Sequence, residues 1–540
     1  MSDTQVSECL SFADAFFLYI EQPGAPLNVA AVSAFEGVIP LDECRDYVAS
    51  RLPLIPRFLK RVVIPPLSVG PPTLQYDQHF DVCNHVREIK LKRGTDAEWK
   101  AAVSELLSSH LDRSRPLWDI TLLQGLKGGR TGVIIRMHHC LVDGVAGVAL
   151  INVLLDPNPV SPPVRHKKLS VPATPPQDAG TTLLDTLISS CFSTAQACLT
   201  AHSELLRMAE QAALPNRKKT DGDALQASVG PMARIAPLGD LALLLSELAL
   251  PTERLPFNVL CHGPQKFDWT EISMAEINAV RQVCGTTVNE VVLTVVSAAL
   301  RRYAELHKVP VKGRKLRIVV PVDLRPEGKS ANTGNQITFL PVDIPLSTRD
   351  PRKLLALVQK RVKFSKTAHG AELVGLAAVM LGALPPPLQC WTGDFLSRLK
   401  ISLCNSICTN VHGPKVPLYL LGHRMLSSYP CVPIGGEMGM NCAVMSYDGV
   451  LFVGFTGDAV AIPDLAKLPE FLTESFAELR DAVHIQVAKS ESPLAEVKTP
   501  QHKAKRSAIH GEDGASNADD GFGGDAEPVK NAVPAEPVFA

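Results

Sequence analysis

The chain has 540 residues, 46% hydrophobic and 20% charged, with 54 basic against 55 acidic side chains. That length exceeds one simple core, and the composition is ordinary for a globular protein. A net charge of −1 excludes a globally basic nucleic-acid binder, and the short basic runs Arg217–Lys219 and Lys312–Lys315 read as solvated loops.

The opening, MSDTQVSECLSFADAFFLYIEQ, lacks the basic start and apolar core of a secretory leader. The 13 cysteines are scattered, odd in number and without CxxC pairing, which predicts reduced thiols in a cytoplasmic setting. Residues 1–155 carry one continuous pattern of strands and helices, forming an N-terminal half. A Pro-rich stretch over 156–180 reads as a linker. A second α/β half spans 181–488, beginning with helical periodicity over 181–211 and an apolar run, LGDLALLLSELAL, over 238–250. Residues 489–540 are polar and aperiodic and predict a disordered tail. AELVGLAAVMLGAL, from Ala371, is 14 residues long before its prolines, short of the roughly 20 that span a bilayer.

The chemistry concentrates at residues 137–144, MHHCLVDG. TGVIIRMHH is β-branched and apolar, which predicts a strand. Side chains alternate along a strand, so His138 and His139 point to opposite faces and at most one serves a given pocket. GVAGVALINVLLD then follows with helical periodicity, with Asp143 at the N-cap position. A titratable imidazole beside a helix N-terminus combines a base with donors for developing negative charge. His139 is assigned as the base, His138 as its support, Asp143 as turn anchor and Gly144 as the turn. Two other readings of these residues stay open: a buried, satisfied histidine pair, and a metal site from His139, Asp143 and Cys140. No G-x-S-x-G nucleophile elbow occurs.

HHCLVDG matches the HHxxxDG signature of the CoA-dependent acyltransferase superfamily, and several further segments resemble its wax ester synthase/acyl-CoA:diacylglycerol acyltransferase family. They are LSFADAFFLYIEQPGAPLNVAAVSAFEG, RLPLIPRFLKRV, FDVCNHVREIKL, SRPLWDITLLQGL, GTTVNEVVLTVVSAALRRY, VVPVDLRPEG, GNQITFLPVDIP, TNVHGPKVPLYLLGHRM and SYDGVLFVGFTGD, in order over residues 8–485. The resemblance implies a two-domain α/β fold like that of chloramphenicol acetyltransferase, with an active-site tunnel between the halves. It implies acyl-CoA as co-substrate with no metal or other cofactor, and a diacylglycerol or fatty alcohol as acceptor. A peripheral association with membrane or lipid inclusions follows from those acceptors, with the 238–250 run as one candidate contact. The second histidine of the pair, here His139, is implied as the base. Asn289 and Glu290 match a pair on a family helix and Asn410 and Gly413 a family loop, all candidate substrate contacts, and Arg325 is a candidate ion-pair partner for Asp143. Glu290 stands where the family has Asp, and Thr287-Val288-Asn289-Glu290 reads on its own as a capping box. His412 replaces a family proline. A catalytically weak lipid-binding or inclusion-coating protein, and acyl transfer to a non-lipid acceptor, are the competing readings.

Overall fold

The computed structural model describes residues 7–483 apart from 143, most of 161–249, 324–336, 369 and 401. The tail beyond Lys489, Asp143, Arg325, and the 238–250 run except Leu250 therefore lie outside the described residues.

Two six-stranded sheets organise the molecule. In the first, the order is Tyr419–Leu420, His423–Cys431, Asn28–Glu36, Arg130–His138, Trp118–Leu126, Val86–Lys90. All its neighbours are antiparallel except the last pair. In the second, the order is Ile337–Pro345, Lys315–Asp323, Ser406–His412, Met440–Tyr447, Val450–Asp458, Gln265–Ser273. A small three-stranded sheet of Ser7–Cys9, Thr73–Tyr76 and Lys60–Val63 stands beside the first.

Each large sheet has its own apolar core. The helix Val288–Leu306 belongs to the second core and buries Val291, Val292, Val295, Val296, Ala299, Leu300 and Tyr303, a stripe with helical spacing. Its start is the expected capping box: the Thr287 hydroxyl accepts from the Glu290 N–H, and Glu290 Oε2 accepts from the Thr287 N–H at 2.9 Å.

The halves are not separate in sequence. His423–Cys431, from the C-terminal half, crosses over and pairs with Asn28–Glu36 of the first sheet. Gly454 permits this crossing, because a Cβ there would stand 2.2 Å from the Pro430 carbonyl oxygen. Trp269 of the second sheet stacks on Tyr429 of the crossing strand at 5.0 Å.

Candidate active site

The strand Arg130–His138 ends at the first histidine, so His139 occupies the turn that follows and not the last strand position. The two rings still separate. His138 is 1% exposed, whereas His139 is half-buried. Backbone bonds fix the doublet: the His138 N–H donates to Leu117 at 2.9 Å, the His139 N–H donates to Leu27 at 3.0 Å, and the Leu141 N–H donates back to His138 at 3.0 Å. The helix Gly144–Leu154 then begins, with Gly144 as its first residue.

One helix, Phe12–Ile20, serves both rings. Ser11 caps it, accepting from the Asp14 N–H at 3.1 Å. Phe17 stacks face to face on His139, with centroids 3.8 Å apart and planes 7° from parallel. Four residues on, at the end of the same helix face, the Glu21 carboxylate meets His138 Nε2 at 3.4 Å. The Cys140 N–H donates to His138 Nδ1 at 3.1 Å, so the neutral ring carries its proton on Nε2, facing Glu21. At 3.4 Å this contact is longer than a strong charged hydrogen bond and acts chiefly as an electrostatic one.

Glu21 also accepts from the Leu27 N–H at 2.9 Å and pairs with Arg113 at 2.6 Å. Burial opposes its ionisation, but His138, the Leu27 amide and Arg113 outweigh burial and hold the carboxyl at about 2. Leu27 thus joins the two histidines, since its N–H binds Glu21 and its C=O binds the His139 amide. Further along the turn, Arg57 donates to the Leu141 carbonyl at 3.0 Å while pairing with Glu8 at 2.7 Å.

Beneath the histidines lies a buried ion pair. Arg136 shares a strand face with His138 and is 1% exposed. Its Nε and Nη2 meet Asp119 at 2.9 and 2.6 Å, and it also binds the Ser109 carbonyl at 3.2 Å, closing the end of helix Asp96–Ser108. The bidentate geometry locks the strand that ends in the histidines. Burial pushes the Cys140 thiol well above its ordinary range, so it stays neutral and is a poor nucleophile.

The other expected residues sit on C-terminal elements. Glu290 Oε2 accepts from the Thr286 and Thr287 hydroxyls at 2.8 and 3.0 Å, which commits that oxygen to the helix start. Asn289 is half-buried beside it, and its buried Oδ1 has no hydrogen-bond partner among the described residues. Asn410 is half-buried on the strand Ser406–His412, in register with Val444. Gly413 follows where a Cβ would stand 2.3 Å from the Ser446 carbonyl oxygen, so no larger residue fits without a backbone shift. A polar cavity of about 500 Å³, lined among others by Arg61, His79, His85 and Arg115, opens in the N-terminal half, and neither histidine of the doublet lines it. Glu21, Phe17 and Leu27 join the site although nothing in the sequence ties them to the histidines directly. The i, i+4 spacing of Phe17 and Glu21 was the one available signal, and it does not say what the helix faces.

The two-sheet fold is shared with a wax ester synthase/diacylglycerol acyltransferase and with condensation domains. The chain overlays a wax ester synthase/diacylglycerol acyltransferase from Marinobacter aquaeolei with a TM-score of 0.57 at 21% identity, covering 88% of this chain and 100% of that one. It overlays the first condensation domain of the calcium-dependent antibiotic synthetase with a TM-score of 0.52 at 17% identity, covering 89% and 98%. Residues 10–292 match the wax ester synthase/diacylglycerol acyltransferase catalytic domain, and residues 333–480 match the WS/DGAT C-terminal domain. The chain belongs to that family of acyltransferases. A probable diacylglycerol O-acyltransferase of Mycobacterium tuberculosis, tgs1, is 25% identical over 474 residues, which is 87% of this chain and 95% of the relative. A second from the same organism, tgs2, is 28% identical over 484 residues, with 87% and 98% covered.

Proposed function

We propose that this chain transfers a long-chain acyl group from acyl-CoA to the hydroxyl of a diacylglycerol or a long-chain alcohol, with His139 as general base. The observation that carries the reading is the division of the doublet. His138 is buried against Glu21, while His139 is half-buried with one face on Phe17. Phe17 thereby fixes the plane of the His139 ring.

In this reading His139 accepts the proton of the acceptor hydroxyl as its oxygen attacks the thioester carbonyl. The C–O bond forms, the carbonyl oxygen takes the negative charge, and amides at the start of helix Gly144–Leu154 are the candidate donors to it. Collapse breaks the C–S bond, and the thiolate takes the proton from the imidazolium, leaving ester and CoA. No covalent enzyme intermediate and no metal is needed. His138 and Asp143 act by holding the turn, and Asn289 on its helix, Asn410 on its strand and Gly413 just beyond that strand are the substrate-facing residues of the C-terminal half. The acceptors place the protein at a membrane or lipid-inclusion surface on the cytoplasmic side.

The weak-binder alternative drew its motive from Glu290, and the capping bonds of that carboxylate supply a structural reason for it instead. The test is a competition assay with one labelled acyl-CoA and both hexadecanol and diacylglycerol. Ester formation with at least one acceptor is expected; no ester from either acceptor overturns the reading.

A further inference from the structure

The helix Pro386–Arg398 presents two unlike faces. One buries Pro386, Gln389, Gly393 and Ser397. The other exposes Leu388, Trp391 and Phe395, at 42%, 62% and 48%, with helical spacing. The Trp391 and Phe395 rings stack at 5.4 Å, 7° from parallel. The short turn Pro66–Ser68 lies against this helix. It holds Leu67 at φ 55°, ψ 16° with its side chain 90% exposed. A left-handed leucine displayed to solvent is unfavourable twice over, in backbone and in hydration, and such conformations collect at functional segments.

The chemistry of this face selects an occupant. An indole beside a phenyl ring, with Lys400 exposed just past the end of the helix, is the pattern of an interfacial helix: apolar rings enter the acyl region while the cation meets headgroup phosphates. Its position agrees. The buried side of this helix packs on Phe12–Ile20, where a Cβ on Gly393 would stand 2.6 Å from Tyr19 Cβ, and Gln22 Nε2 donates to Ser397 at 2.8 Å. Phe12–Ile20 is the helix that stacks Phe17 on His139. Among the described residues no single helix is long and apolar enough to cross a membrane.

We propose that Leu67, Leu388, Trp391 and Phe395 form a docking face for a lipid surface, delivering the acceptor beside the helix that carries Phe17. This inference rests on the lipid-acceptor reading above for its purpose, though not for its physical basis.

The test uses the full-length protein and phosphatidylcholine vesicles containing dioleoylglycerol. Trp99 and Trp118 are buried and Trp269 half-buried, so Trp391 is the exposed reporter among four tryptophans. Wild type is expected to float with the vesicles, with a blue shift of tryptophan emission. The double variant Trp391→Glu/Phe395→Glu, and independently Leu67→Asp, should each lose about tenfold or more in vesicle partition. Esterification of vesicle-borne diacylglycerol should fall in parallel, with esterification of water-soluble hexanol unchanged. Aspartate accepts the left-handed conformation at position 67 more readily than leucine, so that variant keeps the turn if the double variant misfolds. Wild-type partition by Leu67→Asp and by every folded variant overturns the proposal. So does a wild-type dimer that both variants dissolve without any vesicle binding. Flotation lost in the variants with no ester formed by any form would uphold docking and refute acyl transfer. Hexanol esters formed normally with flotation unchanged would do the reverse.

Discussion

Phe17 and Glu21 act on the two histidines from one helix, and their effects differ in kind. Phe17 covers a face of the His139 ring; Glu21 places a charge against the His138 ring. Because the Glu21 carboxyl titrates near 2 against an ordinary 4.5, its ionised form contributes stability that is full above pH 4.5 and lost as pH falls toward 2. The shift corresponds to about 3 kcal/mol. Glu21→Gln is therefore expected to lower the melting temperature at pH 7 and to flatten its fall between pH 4.5 and 2; a melting curve parallel to wild type across that window contradicts the assignment. As a positioning residue, Glu21 should affect kcat more than the KM for acyl-CoA. The histidine doublet was legible in the sequence because HHCLVDG is one short contiguous motif. Its supports were not, because Glu21 is 92 residues or more from everything it holds except Leu27.

At the scale of elements, the strand into the doublet, the helix from Gly144 and the Thr287 cap all follow from local pattern. Periodicity of 2 or 3.6 and a capping residue are local facts, and here packing agrees with them. The crossing strand His423–Cys431 was not legible. Nothing local to HRMLSSYPC tells whether it pairs with its neighbours or with residues almost 400 positions earlier. Gly454 marks the crossing. Gly454→Ala drives a methyl against the Pro430 carbonyl and should cost about 1–3 kcal/mol of stability, read by denaturant unfolding. An unchanged midpoint would show that the two strands can part without loss.

For the whole molecule, that crossing makes the halves interdependent. Residues 1–155 expressed alone leave Asn28–Glu36 without its partner, as an open edge beside the histidine strand. The expected outcome is aggregation or a dye-binding, loosely packed state by size exclusion and near-UV circular dichroism. A monomer with sharp near-UV signals would show that the N-terminal half is self-sufficient. The family was legible from nine segments spread over both halves, which no single motif could have established. The choice of acceptor was not, because it depends on the shape of a site built from residues far apart in the chain.

The central claim is that His139 is the base of acyl transfer and His138 its support. The direct measurement is the rate of labelled ester formation from a long-chain acyl-CoA for wild type, His139→Ala and His138→Ala, with each protein's melting temperature. Loss of a general base removes about 10²–10⁴ in rate, so His139→Ala should fall by that factor with its melting temperature nearly unchanged. His138→Ala should lose stability as well, because Glu21 would keep a buried charge with one partner fewer. Turnover by His139→Ala within a few-fold of wild type would contradict the account.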